Sequence, residues 1–152
     1  MSVARRVRRW FARDTAPRVA LLVDGPNVLR HEFDVDLDDL RNAGRNAGQL
    51  AVSRLYLDEH ATPGLVQAAE ARGFEVIVTS GDVDVKLAID AIEVVVLGDV
   101  DVLAIVSRDT DFKPVLERAA YHGVRTLAIA PGTHGRSDAL SNAAHEAIVL
   151  GD

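Results

Sequence analysis

The sequence predicts an α/β fold: a doubly wound, mostly parallel five-stranded sheet with helices on both faces. The first observation is a run of five apolar residues, Val19 to Val23, that leads directly into Asp24, Gly25 and Pro26. An unbroken apolar run bounded by Gly and Pro is typical of a strand buried on both faces of a parallel sheet. The second observation is that similar runs alternate with helical patterns along the chain, as right-handed βαβ units require.

The predicted elements follow in order from local signals. After the first strand, Asp36 and the acidic residues behind it resemble a capped helix start. Pro63 and Gly73 bound the next predicted helix, and Pro114 and Gly123 bound a later one, because Pro favours the first turn and Gly the position after the last. The strands after the first are predicted at 49–57, 74–79, 101–107 and 124–130, and the helices between them at 62–72, 84–96 and 114–122.

The tail from Ser137 contains a short predicted helix. Ala147 to Leu150 is a candidate final strand that is not counted among the five. Neither an internal repeat nor a domain linker is visible, so residues 19–152 are predicted to form one domain.

Composition excludes several classes of protein. With 48% hydrophobic and 26% charged residues, the chain has the make-up of an ordinary globular domain. Its apolar runs are all far shorter than the roughly 20 residues that a membrane span needs. The chain has no cysteine, which excludes disulfides, thiol nucleophiles and cysteine-type zinc sites, and fits a cytoplasmic location.

The net charge of −6 hides an asymmetry between the amino terminus and the rest of the chain. Residues 1–18 carry six arginines and one aspartate, so this basic arm has a charge of about +5 and the remainder about −11. Two interpretations stay open. The arm either docks Trp10 and Phe11 on the domain, or it grips phosphate, with RNA or DNA favoured over a membrane surface because the apolar stripe is narrow.

Several carboxylates are predicted to meet at one edge of the sheet. Asp24 follows the first strand, Asp109 and Asp111 follow the fourth, and Asp84 opens the preceding helix. The first and fourth strands of a doubly wound sheet flank its switch point, where ligands bind. Clustered carboxylates raise one another's pKa unless a cation neutralises them, and an all-oxygen set suits Mg²⁺ or Mn²⁺. Such ions activate water and stabilise in-line displacement at phosphorus.

Each acid also has a purely local explanation. Asp24, Asp84, Asp109 and Asp111 are all placed where a turn or a helix start needs a cap. Asp90 is ambiguous in a different way, since it lies one helical turn after Lys86 and a surface ion pair would explain it.

Three motifs resemble the NYN domain, a family of the PIN-like nuclease superfamily that includes the LabA-like proteins of bacteria and archaea. They are VDGPNVL (23–29), DVDVKLAIDAI (82–92) and VSRDTDFKPVLERA (106–119). The resemblance covers roughly residues 19–150 and implies a PIN-like fold and a metal-dependent ribonuclease. It also allows a homodimer.

Carried over to this chain, the resemblance implies a specific set of residues. The catalytic acids are Asp24, Asp84, Asp109 and Asp111, with Asp90 as a further metal ligand. One position departs from the family, because the Ala-Asp pair that often lies near its end is Ala144–His145 here. The implied substrate-binding residues are Asn27, Lys86, Ser107 and Arg108.

The sequence therefore supports two functional hypotheses. The first is a ribonuclease that hydrolyses RNA through an Asp-rich Mg²⁺ or Mn²⁺ site, with Lys86 or a second ion offsetting charge on the leaving oxygen. The alternative is an RNA-binding regulatory module with the same fold and little or no catalysis. An aspartyl phosphatase is disfavoured because Pro26 stands where that chemistry needs a second acid, and no glycine-rich loop ending in Lys-Ser or Lys-Thr is present.

Overall fold

The structure is a computed structural model that describes residues 16–29, 35–132 and 137–151. The predicted basic arm lies outside these residues except for its last three. No helix of the described residues is long and apolar enough to cross a membrane. The strands are β1 (Arg18–Asp24), β2 (Gln49–Asp58), β3 (Glu75–Thr79), β4 (Val102–Val106), β5 (Arg125–Ala130) and β6 (Glu146–Val149).

Helices connect these strands on both faces of the sheet. A 3₁₀ turn over Thr110–Phe112 leads from β4 into the helix that follows it. The helices are α1 (Gly25–Val28), α2 (Leu37–Ala47), α3 (Pro63–Ala71), α4 (Val83–Leu97), α5 (Lys113–Tyr121) and α6 (Asp138–Ala143).

The sheet is parallel throughout and has the order β3-β2-β1-β4-β5-β6. The chain builds outward from β1 to β3, then returns to pair β4 with the other side of β1. This reversal confirms the doubly wound class and places the switch point between β1 and β4.

The predicted number of strands was wrong by one. β6 pairs in parallel with β5 and forms a sixth, edge strand, one residue ahead of the candidate at 147–150. Three of its four residues are exposed, and only Ile148 is half-buried. Its apolar run, Ala147 to Leu150, is only four residues long, and a run this short does not by itself distinguish a strand from other buried segments.

β1 is the centre of both hydrophobic cores. Its residues Val19 to Val23 are completely buried and alternate between the two faces. Ala20 and Leu22 pack under α4 and α5, whereas the remaining three pack under α2 and α3. A strand that contributes to both cores must be apolar at every position, which is the pattern seen in the sequence.

The predicted cap of α2 is confirmed. The Asp36 side chain accepts a hydrogen bond of 2.8 Å from the Asp39 backbone N–H, and the Asp39 side chain accepts one of 3.1 Å from the Asp36 N–H. This reciprocal pair satisfies two backbone donors at the helix start. These two acids therefore act locally and lie outside the site described next.

Candidate metal centre

The carboxyl edge of the sheet collects acids from both sides of the switch point. Asp24 is the last residue of β1. Asp109 caps the 3₁₀ turn that follows β4, and Asp84 lies in the first turn of α4. The parallel arrangement of β1 and β4 brings these segments together because both strands end at the same edge.

Three carboxylates form a compact group. Asp84, Asp109 and Asp111 each offer one oxygen, and these oxygens all lie within 4.8 Å of one another. The first two side chains are half-buried and the third is exposed. Ligands on a single Mg²⁺ lie about 3 to 4 Å apart, because the ion binds oxygen at about 2.0 to 2.1 Å. The group therefore fits a divalent cation after a small side-chain rotation.

Of the four caps predicted at this edge, only Asp109 makes a side-chain cap hydrogen bond in the described part of the chain, and the N-cap residue of α4 is Asp82 rather than Asp84. The Asp109 carboxylate accepts a hydrogen bond of 2.9 Å from the Asp111 N–H, and Ser107 Oγ accepts one of 3.0 Å from the Asp109 N–H. The Asp84 carboxylate accepts a bond of 2.9 Å from the Val85 N–H. Each carboxylate has two oxygens with several acceptor positions. A cap on one oxygen therefore leaves the carboxylate able to bind an ion.

Asp24 lies beside this group in a different environment. It is only 1% exposed, and one of its oxygens, Oδ2, accepts hydrogen bonds from Asn27 Nδ2 at 2.6 Å and Ser107 Oγ at 3.0 Å. Burial raises the pKa of Asp24, the charges of Asp109 and Asp84 raise it further, and the two hydrogen bonds act in the opposite direction. Asp24 is thus within electrostatic reach of the group, although it is not one of the three acids within 4.8 Å of each other.

Gly25 fixes the direction in which the chain leaves β1. A Cβ atom at this position would lie 2.5 Å from both the Tyr56 backbone oxygen and a Leu57 methyl carbon. The chain can therefore pass against β2 only because residue 25 has no side chain. The turn then carries Asn27 back to the Asp24 carboxylate.

A cavity of about 300 Å³ opens between these elements. Its wall includes Asn27, Asp84 and Asp109, which the sequence predicted. It also includes residues that the sequence analysis missed, and three of them, Asp58 to His60, lie at the end of β2. Because β2 is the direct neighbour of β1, applying the switch-point argument to this strand as well would have found them. The remaining wall residues are Pro26, Gly81, Asp82 and Val83.

Asp90 and Lys86 contact each other rather than the group of three. Lys86 Nζ donates to Asp90 Oδ1 at 3.0 Å, and the Tyr56 hydroxyl donates to Asp90 Oδ2 at 2.9 Å. Asp90 is 8% exposed and Tyr56 is fully buried. Burial raises the pKa of Tyr56, and the bond to Asp90 raises it further, so the hydroxyl remains protonated and able to donate.

Five further residues named from the sequence do not line the cavity either: Asp24, Ser107, Arg108, Asp111 and His145. Arg108 is half-buried between Ser107 and Asp109 in the chain. His145 lies at the opposite edge of the sheet, where its Nδ1 accepts a hydrogen bond of 2.9 Å from the backbone N–H of Thr126, near the start of β5.

The comparisons with known proteins agree with this architecture. The sequence profile of the NYN domain matches residues 18–151. An uncharacterized protein of Methanocaldococcus jannaschii is 41% identical over 135 residues, which cover 89% of this chain and 56% of that protein. The chain thus spans little more than half the length of this relative.

A solved structure shows the same fold. The crystal structure of a protein of unknown function from Vibrio parahaemolyticus superposes with a TM-score of 0.78 at 23% sequence identity, covering 92% of this chain and 96% of that one. The profile match extends over almost the whole described part of the chain, from the first residue of β1 to the residue after Leu150. The chain therefore belongs to the NYN domain family.

Proposed function

We propose that this protein is a metal-dependent ribonuclease that hydrolyses RNA at the carboxyl edge of its sheet. The observation that carries the proposal is the group formed by Asp84, Asp109 and Asp111, whose oxygens approach within 4.8 Å of one another at the switch point of an NYN domain. Carboxylates gathered this closely form a ligand set that a divalent cation binds through oxygen.

The donor set selects the class of ion. All three side chains offer hard carboxylate oxygen and no nitrogen or sulfur, which favours Mg²⁺ or Mn²⁺ over zinc. When bound, such an ion activates water and stabilises the charge that develops on a scissile phosphate. Asp84, Asp109 and Asp111 would hold it, with Asp24 beside them.

The neighbouring residues keep the acids in position. Asn27 and Ser107 hold one Asp24 oxygen, so the other oxygen of that carboxylate is left to interact with the ion or with ordered water. The positive charge of an ion would oppose the effect of burial and keep Asp24 ionised. We assign Lys86 and Asp90 a supporting role, because their contacts with each other and with Tyr56 anchor the helix that carries Asp84.

The acids of the cavity wall affect the binding of an anionic substrate. Five acids line the cavity: Asp58, Glu59, Asp82, Asp84 and Asp109. The cavity without a cation therefore repels a phosphodiester, and the metal-loaded cavity is the form that accepts one. Arg108 adjoins this edge and is a candidate to contact the RNA backbone.

The test compares RNA cleavage by the full chain with that of two charge-removing variants. End-labelled RNA is incubated with Mn²⁺ and wild-type protein, Asp109→Asn or Asp84→Asn. Glu70→Gln is the matched control, since it removes one exposed acid from α3 far from the site. We expect both site variants to lose at least about 100-fold in rate, as removal of a group that stabilises the transition state does, and the control to keep full activity.

Metal binding is measured separately by thermal unfolding. At 100 times its dissociation constant, Mn²⁺ stabilises the folded chain by about 2.7 kcal/mol if it binds only that state, and Asp109→Asn should lose this gain.

Two outcomes of the cleavage assay would contradict the proposal. Equal cleavage by all four proteins would show that a contaminating nuclease is responsible. Tight RNA binding without cleavage in Mg²⁺ or Mn²⁺ would favour the regulatory module instead.

A further inference from the structure

Helix α4 is apolar on two opposite sides. Its inner side packs into the core through Val83, Leu87 and Val94. Its outer side carries Val85, Ile89, Ile92 and Val96, which we call the outer stripe. At 100° per residue these four positions fall within an arc of about 60° on the helix surface, roughly opposite the buried side.

The outer stripe is partly exposed to solvent. Val85 is 53% exposed and Ile89 is 59% exposed, while Ile92 and Val96 are half-buried and Ile92 also contacts the edge of the core. Leu97, at the end of the same helix, is also exposed. Half of the exposed large hydrophobic residues in the described part of the chain therefore belong to this one helix. An apolar stripe on the outer side of a helix that already packs on the core marks a surface that a partner covers.

Charged residues beside the stripe indicate what covers it. Lys86 and Glu93 lie on the same flank, because seven residues separate them and seven residues make two helical turns. The carboxylate of Glu93 has no hydrogen-bond or ion-pair partner among the described residues. Lys86 uses one of its three ammonium donors on Asp90 and has two to spare.

We propose that the outer stripe is an interface with a second copy of this chain, in which the two α4 helices pack antiparallel about a twofold axis. Placing the axis midway between Ile89 and Ile92 puts each of these residues opposite the other in the second copy. Val85 then lies opposite Val96 in the same way. An isologous contact of this kind is self-complementary, as the most common homodimers are.

The same operation satisfies the unpaired charge. Rotation about this axis brings the flank that carries Lys86 and Glu93 in one copy next to the same flank in the other copy. Lys86 of one copy and Glu93 of the second copy then differ by two residues, or about 3 Å, along the helix direction. The interface therefore contains two symmetry-related ion pairs bordering an apolar centre, an arrangement that fixes register and orientation.

A membrane surface fits this helix less well. Interfacial helices carry Lys and Arg on their polar side to bind anionic lipid. The polar residues of α4 are three acids, Asp84, Asp90 and Glu93, and a single base, Lys86. The domain as a whole is also acidic, so anionic lipid would be repelled.

The experiment measures the oligomeric state of the full chain by sedimentation velocity in EDTA, so that neither metal nor RNA is needed and the result does not depend on the ribonuclease proposal. Concentrations run from about 1 to 300 µM, because one helix pair is a small interface. We expect wild-type protein to shift from monomer to dimer across this range. A monomer at every concentration would overturn the proposal.

Two variants test the surface itself. Ile89→Glu places a charge in the centre of the stripe at a position exposed enough to leave folding intact, and we expect it to weaken dimerisation at least tenfold. Val78→Glu is the matched control, since Val78 is 54% exposed but lies on β3. Equal weakening by both variants, or by neither, would contradict the assignment of the interface to α4.

A third variant tests the antiparallel arrangement. Glu93→Lys puts a second ammonium group near Lys86 of the other copy, and we expect about tenfold weaker dimerisation than in wild type, with the effect reduced in high salt. Dimerisation at wild-type strength in this variant would show that the two helices do not pack in the proposed register.

Discussion

Asp24 and Asp90 are both buried carboxylates in the central part of the fold, but their hydrogen-bond and charge partners differ. Asp90 is paired with the Lys86 ammonium group and also accepts a hydrogen bond from Tyr56. Among the described residues, Asp24 accepts hydrogen bonds from the neutral donors Asn27 and Ser107, and the charges that act on it are those of the acids Asp109 and Asp84. A buried carboxylate is stable when its charge is compensated.

The difference between Asp24 and Asp90 indicates where a ligand is needed. The protein supplies its own cation for Asp90, so this residue is complete as a structural link between β2 and α4. No basic side chain of the described residues pairs with Asp24, and three further carboxylates converge beside it. The lack of compensation at Asp24 marks the edge where a cation from solution would be taken up.

The largest expected effect is at the compensated site. Asp90→Ala removes the acceptor of the buried Tyr56 hydroxyl and the partner of Lys86, and should lower the free energy of unfolding by about 3 kcal/mol. Urea denaturation measures the change. In a double-mutant cycle, adding Tyr56→Phe should recover part of the loss, because no unsatisfied hydroxyl remains. Strictly additive losses would show that the two side chains are not coupled.

Removing the charge of Asp24 should raise the free energy of unfolding, whereas removing that of Asp90 lowers it. Asp24→Asn keeps an oxygen that accepts from Asn27 and Ser107 but removes the buried charge, so it should stabilise the metal-free protein by about 1 kcal/mol at pH 7. The raised pKa of Asp24 means that the folded chain holds its proton more tightly than the unfolded chain. The wild-type penalty is therefore absent below the unfolded pKa of about 3.8 and grows as the pH rises through the folded value.

Urea denaturation in EDTA at pH 4.5 and pH 7.5 checks this. The advantage of Asp24→Asn should be larger at the higher pH. An advantage of the same size at both values would mean that the charge of Asp24 is not the source of the effect.

The smallest effect is expected at an exposed pair. Arg125 and Glu146 form an ion pair of 2.6 Å between β5 and β6, and both side chains are more than half exposed. Glu146→Gln should change the free energy of unfolding by less than about 0.5 kcal/mol, because water screens the charges. A loss of about 2 kcal/mol or more would show that solvent exposure does not make this ion pair weaker than the buried pair of Asp90 and Lys86.

The sequence was sufficient to predict the α/β class and the approach of three acids, Asp84, Asp109 and Asp111. Asp24 lies beside this group, whereas Asp90 pairs with Lys86 instead. Asp24 and Asp109 each follow an apolar strand, and β1 and β4 are neighbours in any sheet that winds in two directions from its first strand. Strand order therefore places Asp24 and Asp109 at the same edge, whereas the position of Asp84 also depends on how α4 packs on the sheet. Strand β6 was left out of the count because its apolar run of four residues, 147–150, is too short to identify a strand by itself.

Asp90 shows what sequence cannot resolve. Helical spacing identified Lys86 as a partner, but the second partner, Tyr56, is 34 residues away and reaches Asp90 only through packing of α4 on β2. The same limit applies to His60, whose place in the cavity wall depends on how the turn after β2 folds. Contacts made across elements are set by tertiary packing, which local patterns do not encode.

The Ser107 hydroxyl joins the two halves of the acidic edge. It gives its only proton to Asp24 and accepts the Asp109 N–H, so a single atom holds the loop after β4 in register with the end of β1. Folding has thereby already restricted the motion of both segments. An incoming ion would meet donors that need little further ordering, which lowers the entropic cost of capture and leaves desolvation as the main barrier to entry.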